Sequence, residues 1–243
     1  PASFEPEALK AQAVAARTYT AKAAVTGGKH GDGSICTDSA CCQAYISEQD
    51  YLARGGTESN LNKIRSCAWA TAGQVLTYEE ELIEATYFSC SGGSTEDAVE
   101  VWGTAYPYLV SVESPGEEYA AYSRDTVSFN PEAFASALGR ELTGNVKDWF
   151  EMTVYTGGGS VSSITICGET YSGTQLRSIL GLRSAAFSVD ASENEILITT
   201  KGYGHRVGLS QYGADAMAVK GSGYAEILAH YYPGTTLSSL ISD

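Results

Sequence analysis

The hydrophobic pattern of the chain opens with one long helix. Residues 6–25 are rich in alanine, a proline suits the first turn, and two glycines follow as a stop. Small apolar residues lie on every face, so we expect this helix to pack on more than one side. Gln12 and Arg17 then need polar partners, either as a buried hydrogen-bonding hub or as groups that position a ligand.

Helices and strands alternate along the rest of the chain, which predicts an α/β or α+β fold. Segments 74–78 and 82–88 are expected to pair as a hairpin across the glutamates at 79–81. Ser210 is placed to cap a helix. The other predicted helices are 59–72, 130–138, 174–182 and 211–219, and the other predicted strands are 106–112, 161–167 and 195–200.

A shift in composition near residues 113 and 190 indicates two lobes. We expect residues 1–112 and 191–243 to form a core lobe, with 113–190 as a second lobe or insertion. Because the most distinctive segments lie towards the two ends of the chain, we expect a cleft between N- and C-terminal segments.

Composition narrows the possible functions. With 43% hydrophobic residues in 243, the chain can bury a substantial core. Its net charge of −14, from 15 basic and 29 acidic residues, argues against nucleic acid as a partner, since that binding needs cations to neutralise phosphates. No apolar run reaches the about 18 residues that span a bilayer. Because the sequence begins at Pro1 without methionine, we expect a signal or anchor segment upstream.

A cluster of metal-binding residue types follows the first helix. His30, Cys36, Cys41 and Cys42 form the pattern HxxxxxCxxxxCC in a loop with glycine and aspartate. Zinc prefers thiolate and imidazole ligands, so a zinc site is one interpretation, and a disulfide such as Cys36 to Cys42 is the other. Adjacent cysteines do not turn easily to one ion, which argues against both Cys41 and Cys42 as ligands. Cys67 and Cys167 are expected to be buried free thiols.

The segment GYGHRVGLSQYGA at 202–214 has the residue types of a binding site. Its glycines permit a close approach of backbone to a ligand. The spacing is not the dinucleotide fingerprint GxGxxG of a βαβ unit, and the chain contains no GxxxxGK[ST] phosphate loop. Nucleotide binding is therefore not expected.

This segment resembles the C-terminal signature GxGHGxGMSQYGA of the stage II sporulation protein D family. Four further blocks carry the resemblance in the family's order: EALKAQAVAARTY at 7–19, TYFSCSGG at 86–93, YPYLVSV at 106–112 and HYYPG at 230–234. The resemblance implies a lytic transglycosylase that cleaves peptidoglycan between N-acetylmuramic acid and N-acetylglucosamine. It would leave 1,6-anhydro ends and remodel septal peptidoglycan during engulfment in endospore-forming bacteria.

Such a reaction needs one general acid, because the C6 hydroxyl of muramic acid closes onto C1 and no water has to attack. In the family this acid is the glutamate of a Glu-Met-Pro motif just ahead of the first helix. Pro1 matches that proline, so the acid is expected two positions upstream of the sequence. Glu5 and Glu7 do not match the motif, and the catalytic residue within the chain is unknown.

The resemblance also implies ligand-binding positions. Zinc would be held by His30, Cys36 and Cys42, and with three protein ligands its fourth position would be open. Phe88 and Cys90 stand where the family commonly has His and Thr, and Arg206 replaces a glycine and is expected to narrow the cleft. The implied glycan-binding residues are Gln12, Arg17, Ser89, Ser91, Tyr203, His205, Ser210, Gln211 and Tyr212.

The implied partners are peptidoglycan glycan strands, an amidase that removes stem peptides first, and a membrane anchor of the engulfment complex. The implied location is the mother-cell septal membrane, on the extracytoplasmic side that faces the intermembrane space. Two other interpretations remain. One is a non-catalytic peptidoglycan-binding or scaffolding module, and the other is a hydrolase with Cys90 as nucleophile and His205 as base.

Overall fold

The computed structural model describes residues 1–240 and has a mixed α+β architecture, as predicted. The chain forms two compact units, one from residues 1–87 with the segment from 214 onward, the other from residues 88–213. These limits differ from the sequence-based boundaries at 113 and 190, and the segment 113–190 lies wholly inside the second unit. Within residues 1–240, no helix combines the length and the apolar composition needed to cross a membrane.

Most of the predicted helices and strands are present. The helices are α1 Pro6–Thr26, α2 Glu48–Ala53, α3 Glu58–Ala70, α4 Ala98–Trp102, α5 Pro131–Leu138, α6 Gly173–Leu180, α7 Gln211–Val219 and α8 Tyr224–Tyr231, with a 3₁₀ turn at Val146–Asp148. The strands are β1 Gln74–Tyr78, β2 Glu81–Leu82, β3 Tyr87–Phe88, β4 Gly93–Ser94, β5 Glu113–Ser114, β6 Arg124–Phe129, β7 Phe150–Tyr155, β8 Val161–Ile166, β9 Glu169–Ser172, β10 Phe187–Ala191, β11 Ile196–Lys201, β12 Leu209–Ser210 and β13 Thr236–Ser239.

In the first unit, α1 packs against α3, α8 and the sheet β13-β1-β2. Its buried side chains are mostly alanines on several faces, which lets neighbouring elements approach closely, as the sequence predicted. Arg17 donates from Nη1 to the carbonyls of Thr71 and Gln74 at 2.7 and 2.8 Å, and from Nη2 to that of Ala68 at 3.3 Å. Arg17 therefore joins the end of α3 to the start of β1. It acts as a hydrogen-bonding hub, which is one of the two roles predicted for it.

The predicted hairpin is present but shorter than expected. Thr77 pairs with Leu82, so the turn contains only Glu79 and Glu80, with φ of 50° and 69°. Positive φ at both positions is the type I′ geometry, which suits the twist of antiparallel strands but is usually signalled by Asn-Gly. The strand expected over 82–88 is interrupted after Leu82 and resumes as β3 at Tyr87–Phe88. The predicted pairing of this second part with 74–78 is wrong, because β3 pairs with β12 and not with β1.

In the second unit, two three-stranded sheets, β10-β11-β6 and β7-β8-β9, pack with α5 and α6 around one core. Its buried members are Phe134, Val146, Trp149, Val161, Ile164, Ile166, Tyr171, Leu176, Leu180, Leu182, Phe187, Ile196 and Ile198.

The strand predicted at 106–112 is wrong. This segment is irregular. The chain beside it forms helix α4 and not a strand, so the two make isolated hydrogen bonds, such as that from Ala98 N–H to the carbonyl of Leu109 at 2.9 Å. The extended structure begins at Glu113, where β5 pairs with β4.

The cysteines outside the loop at 36–42 are free thiols. Cys67 is buried, as predicted, whereas Cys167 is only partly buried.

Glu7 offers a test of the first unit. Its carboxylate accepts from Lys10 Nζ at 2.6 Å and from Tyr224 N–H, at the start of α8, at 2.8 Å. The hydrogen bond from Lys10, followed by that from Tyr224, lowers the pKa of Glu7. The carboxylate therefore stabilises the fold above its unfolded-state pKa, and this stabilisation is lost as pH falls through the folded-state pKa. Glu7→Gln should reduce stability by about 0.5 kcal/mol at pH 7 and much less near pH 3. Thermal melting at the two pH values, with the exposed Glu5→Gln as control, measures this; an equal loss at both would contradict it.

Candidate functional site

Two of the distinctive segments lie side by side in the second unit. Cys90 and Tyr203 form an antiparallel bridge, with Tyr203 N–H donating to the carbonyl of Cys90 at 2.7 Å. Further along, Tyr212 N–H donates to the carbonyl of Ser89 at 3.0 Å. Gly202 has φ of 76°, and a Cβ there would lie 2.5 Å from the carbonyl oxygens of Cys90 and Ser91. The close contact of the two segments therefore requires glycine at 202.

The buried carboxylate of Glu117 holds these segments together. Its Oε2 accepts from Ser91 N–H at 2.6 Å, Ser91 Oγ at 2.9 Å and Gly92 N–H at 3.0 Å. Its Oε1 accepts from Ser210 Oγ at 2.5 Å and Ser114 Oγ at 2.6 Å. One carboxylate thus receives five hydrogen bonds from three separate parts of the chain.

Ser91 and Ser210 are fully buried, and both hydroxyls donate to Glu117. Their hydroxyls are therefore not exposed to a ligand, and any effect on glycan binding would be indirect, through the conformation of the two segments. Ser210 Oγ also accepts from Gly213 N–H at 3.3 Å, so it caps α7 as predicted. Ser89, Gln211 and Tyr212 are partly exposed beside them.

His205 lies among aromatic side chains. Its ring centroid is 5.2 Å from that of Trp102, at the end of α4, and 5.6 Å from that of Phe88. Nδ1 accepts from Val207 N–H at 3.1 Å, which orients the imidazole ring. His205 also lines a small cavity with Glu96 and Arg177. The imidazole thus lies between an aromatic wall and charged groups.

Tyr203 belongs to a second aromatic group. Its ring lies edge-on to Tyr122 at 5.3 Å, and Tyr212 lies edge-on to Tyr119 at 5.4 Å. All four rings are at least partly exposed. Tyrosine rings with polar tips are suited to stacking on sugar faces.

Gln12 and Arg17 belong to the first unit, on α1. Arg17 is engaged with backbone carbonyls, as described above, and Gln12 is partly buried. Their expected role in binding glycan stays a prediction.

The loop after α1 gathers four metal-binding side chains. The ligand atoms of His30, Cys36, Cys41 and Cys42 all lie within 4.8 Å of one another. His30 Nε2 is 3.4 Å from Cys42 Sγ and 3.8 Å from Cys41 Sγ, and the two sulfurs are 3.9 Å apart. The cysteines of the loop are free thiols, and the disulfide interpretation is not supported.

A tight turn explains why both adjacent cysteines face this cluster. The N–H groups of Cys41 and Cys42 both donate to the carbonyl of Asp38, at 3.1 and 2.8 Å. Both adjacent cysteines therefore lie in one cluster, which the sequence did not predict. A hydrogen bond from the Asp38 backbone, followed by His30, lowers the pKa of Cys36 to about 7, and the neighbouring sulfurs of Cys36 and Cys42 raise that of Cys41 to about 11.

Comparison with known proteins assigns the family. A model of the SpoIID family, stage II sporulation protein, matches residues 1–78. Over 242 residues, 98% of the chain, the sequence is 40% identical to stage II sporulation protein D of Bacillus amyloliquefaciens and to that of Bacillus subtilis, covering 70% of each. The chain belongs to the stage II sporulation protein D family. The amidase enhancer of Bacillus subtilis is 31% identical over 98% of the chain, which covers 39% of that protein.

One departure from the family signature is explained by the structure. Arg206, in place of a glycine, was expected to narrow the cleft, but its side chain is buried and turns inward. Its guanidinium donates to the carbonyls of Ser91, Ser94 and Gly158 at 2.8 Å and to Ser160 Oγ at 2.7 Å. Arg206 is therefore a structural anchor of this SpoIID-family domain.

A second departure, Cys90, does not suit a nucleophile. The thiol is fully buried, and burial followed by the charge of Glu117 raises its pKa to about 11. At neutral pH it stays protonated, and a thiolate is what nucleophilic catalysis requires. The Cys-His hydrolase interpretation is thereby disfavoured.

Sequence reasoning missed Glu117, Trp102, Tyr119 and Tyr122. None lies in a block that resembles the family signature, and their partners are far away along the chain. A usable signal was the run GEEYAAY at 116–122, where acidic and aromatic residues follow a Pro-Gly turn.

Glu117→Gln should destabilise the second unit by about 2 kcal/mol, because it removes the charge from five hydrogen bonds and sets an amide N–H₂ against donors. Glu118→Gln, at an exposed neighbouring position, should change stability by less than about 0.5 kcal/mol. Thermal and urea unfolding of both variants test this. Equal stabilities would show that Glu117 does not hold the segments together.

Proposed function

We propose that this SpoIID-family protein is a lytic transglycosylase that cleaves peptidoglycan glycan strands between N-acetylmuramic acid and N-acetylglucosamine. The observation that carries the proposal is the 40% identity to stage II sporulation protein D over 98% of the chain. The reaction would leave 1,6-anhydro ends and remodel septal peptidoglycan during engulfment.

The groups beside Gly202 support a sugar ligand. Tyr203, Tyr212 and Trp102 offer aromatic faces, and the His205 imidazole lies beside Trp102. Aromatic faces with a few directed polar groups are typical of carbohydrate recognition. The net charge of −14 gives no general attraction to the carboxylates of the strand, so the main contacts would be with the sugar rings.

The general acid in this proposal is the glutamate that the family motif places two positions before Pro1. A protonated carboxyl there would deliver a proton to the leaving glycosidic oxygen. The C6 hydroxyl of the muramic acid then attacks C1 and gives its proton to the carboxylate that the acid has become, which closes the 1,6-anhydro ring and restores the acid. The residues of this chain would bind and orient the strand.

Mass spectrometry of fragments released from stem-peptide-free glycan tests the reaction. A protein extended upstream through the expected Glu-Met should release 1,6-anhydro ends, and its upstream Glu-to-Gln version should release at least about 100-fold less. The chain from Pro1 serves as the matched control without that acid. Binding of the glycan without release by the extended protein would instead indicate a non-catalytic binding module.

Zinc in the loop of His30 and the three cysteines belongs to the same proposal. Tetrahedral zinc with bonds of about 2.3 Å to sulfur and 2.0–2.1 Å to nitrogen has ligand-to-ligand edges of about 3.8 Å (S–S) and 3.6 Å (S–N). The three edges among His30, Cys41 and Cys42, at 3.9, 3.8 and 3.4 Å, are close to these values, and Cys36 Sγ lies within 4.8 Å of each of the other three ligand atoms. With Cys41 as a fourth ligand, the zinc would have four protein ligands, as in closed structural sites. With only three ligands, its fourth coordination position would be open.

Zinc analysis of protein purified without added metal should find about one equivalent. Cys41→Ser should weaken zinc binding at least about tenfold, measured by competition with a chelator, because a thiolate ligand is lost. Cys167→Ser, at a partly buried thiol outside the cluster, should bind as the unaltered protein does. Less than half an equivalent would sink the zinc proposal, and unchanged affinity of Cys41→Ser would restore the three-ligand site.

A partner amidase and a membrane anchor complete the proposal. The similarity to a protein named amidase enhancer supports a link to amidase action on the cell wall. An amidase would expose glycan by removing stem peptides. We place the protein outside the cytoplasm at the mother-cell septal membrane, facing the intermembrane space and held by an upstream anchor.

A further inference from the structure

Arg183 is a cation held beside the signature segment. It follows α6, and its carbonyl accepts from Gly204 N–H at 3.0 Å, which ties its backbone to the residue before His205. Its guanidinium carbon lies 4.2 Å from the centroid of the Tyr122 ring and 5.2 Å from that of Tyr203. Two aromatic rings from different parts of the chain thus flank one guanidinium.

Asp125 fixes the orientation of this guanidinium. Its Oδ2 accepts from Arg183 Nε at 3.2 Å, and the two side chains are 32% and 37% exposed. Among the described residues 1–240, the Arg183 side chain makes this one hydrogen bond, through Nε. The N–H groups of its two terminal nitrogens therefore remain available to a ligand. Stacked and ion-paired arginines lose little further freedom when they bind a ligand.

The available edge of Arg183 is the part of a guanidinium that binds a carboxylate through two parallel hydrogen bonds. The net charge of −14 gives no long-range attraction for anions, so a carboxylate has to be bound by a local cation. A carboxylate carried by a sugar would bring that sugar ring beside Tyr122 and Tyr203. A carboxylate joined to a sugar ring through a short side group keeps that ring within reach of both tyrosines, whereas a carboxylate at the end of a flexible peptide does not fix the position of the sugar.

We propose that Arg183, supported by Tyr122 and Asp125, binds the lactyl carboxylate of N-acetylmuramic acid. This inference rests on the proposed function, since it assumes a glycan ligand, and it names the feature of the strand that is read. The lactyl group carries a free carboxylate only after the stem peptide has been removed. The interaction therefore gives a physical reason to prefer stripped strands.

Calorimetric binding of three soluble glycans tests the inference. They are stripped strands, stripped strands whose carboxylates are reduced to alcohols, and strands that keep their peptides. Arg183→Gln should weaken binding of stripped strands about tenfold. The same change should leave the weaker binding of reduced strands unaltered, because the partner of Arg183 is already absent there.

Strands that keep their peptides should also bind the unaltered protein and Arg183→Gln equally. A tenfold loss with these strands would place the recognised carboxylate on the peptide and overturn the lactyl assignment. An equal loss with stripped and reduced strands would show that Arg183 supports the fold only, and no loss with either would remove it from the site.

Matched substitutions control for charge and ring loss. Arg65→Gln removes an arginine of 40% exposure that pairs with Glu48, and it should bind stripped strands normally. Tyr122→Ala should weaken stripped and reduced strands alike by about three- to tenfold, whereas the exposed Tyr155→Ala should not. If the unaltered protein bound none of the glycans, the proposed function would fail together with this inference. Binding without the Arg183 dependence would remove the inference alone.

Discussion

The second unit depends on one buried negative charge, the carboxylate of Glu117. A buried carboxylate is costly unless its oxygens are fully hydrogen-bonded, and here five donors surround it. The donors come from Ser91, Gly92, Ser114 and Ser210, so satisfying one charge fixes three segments at once. Within the signature at 202–214, the contact with this charge is made by Ser210.

The ligand-facing groups follow from that constraint. The turn that contains Glu117 continues directly to Tyr119 and Tyr122, which reach Tyr212 and Tyr203 of the signature. Next to Tyr122, the carbonyl of Ser123 accepts from Gly202 N–H at 3.0 Å, which adds a backbone hydrogen bond between the same two segments. The aromatic rings and the Arg183 guanidinium are thus placed by the same backbone that the buried charge holds, and such support is what the proposed glycan site would need.

Sequence reasoning succeeded where structure is local. Helix α1, with its alanines and glycine stop, and the cap at Ser210 were predictable because their signals lie within a few residues. It failed where distant contacts decide. The turn at Glu79 and Glu80 lacks the usual residues, and the role of Glu117 depends on partners up to 93 residues away. In the site, family resemblance located His205 and Tyr203, but Arg183 and Tyr122 needed the fold.

Arg206 shows how a departure from the family signature is absorbed. Its φ of 66° is the left-handed region that a glycine enters freely, and for arginine it costs on the order of 1–2 kcal/mol. Burial lowers its pKa, an effect that the charges of Glu96 and then Glu117 oppose, so the cation is kept by its surroundings. Four hydrogen bonds to Ser91, Ser94, Gly158 and Ser160, each worth more than a neutral one, exceed the backbone cost. A glycine would relieve the strain but leave three carbonyls and a hydroxyl without this donor. Arginine at position 206 is therefore coupled to the loop at 158–160, because two of its four hydrogen bonds go to Gly158 and Ser160.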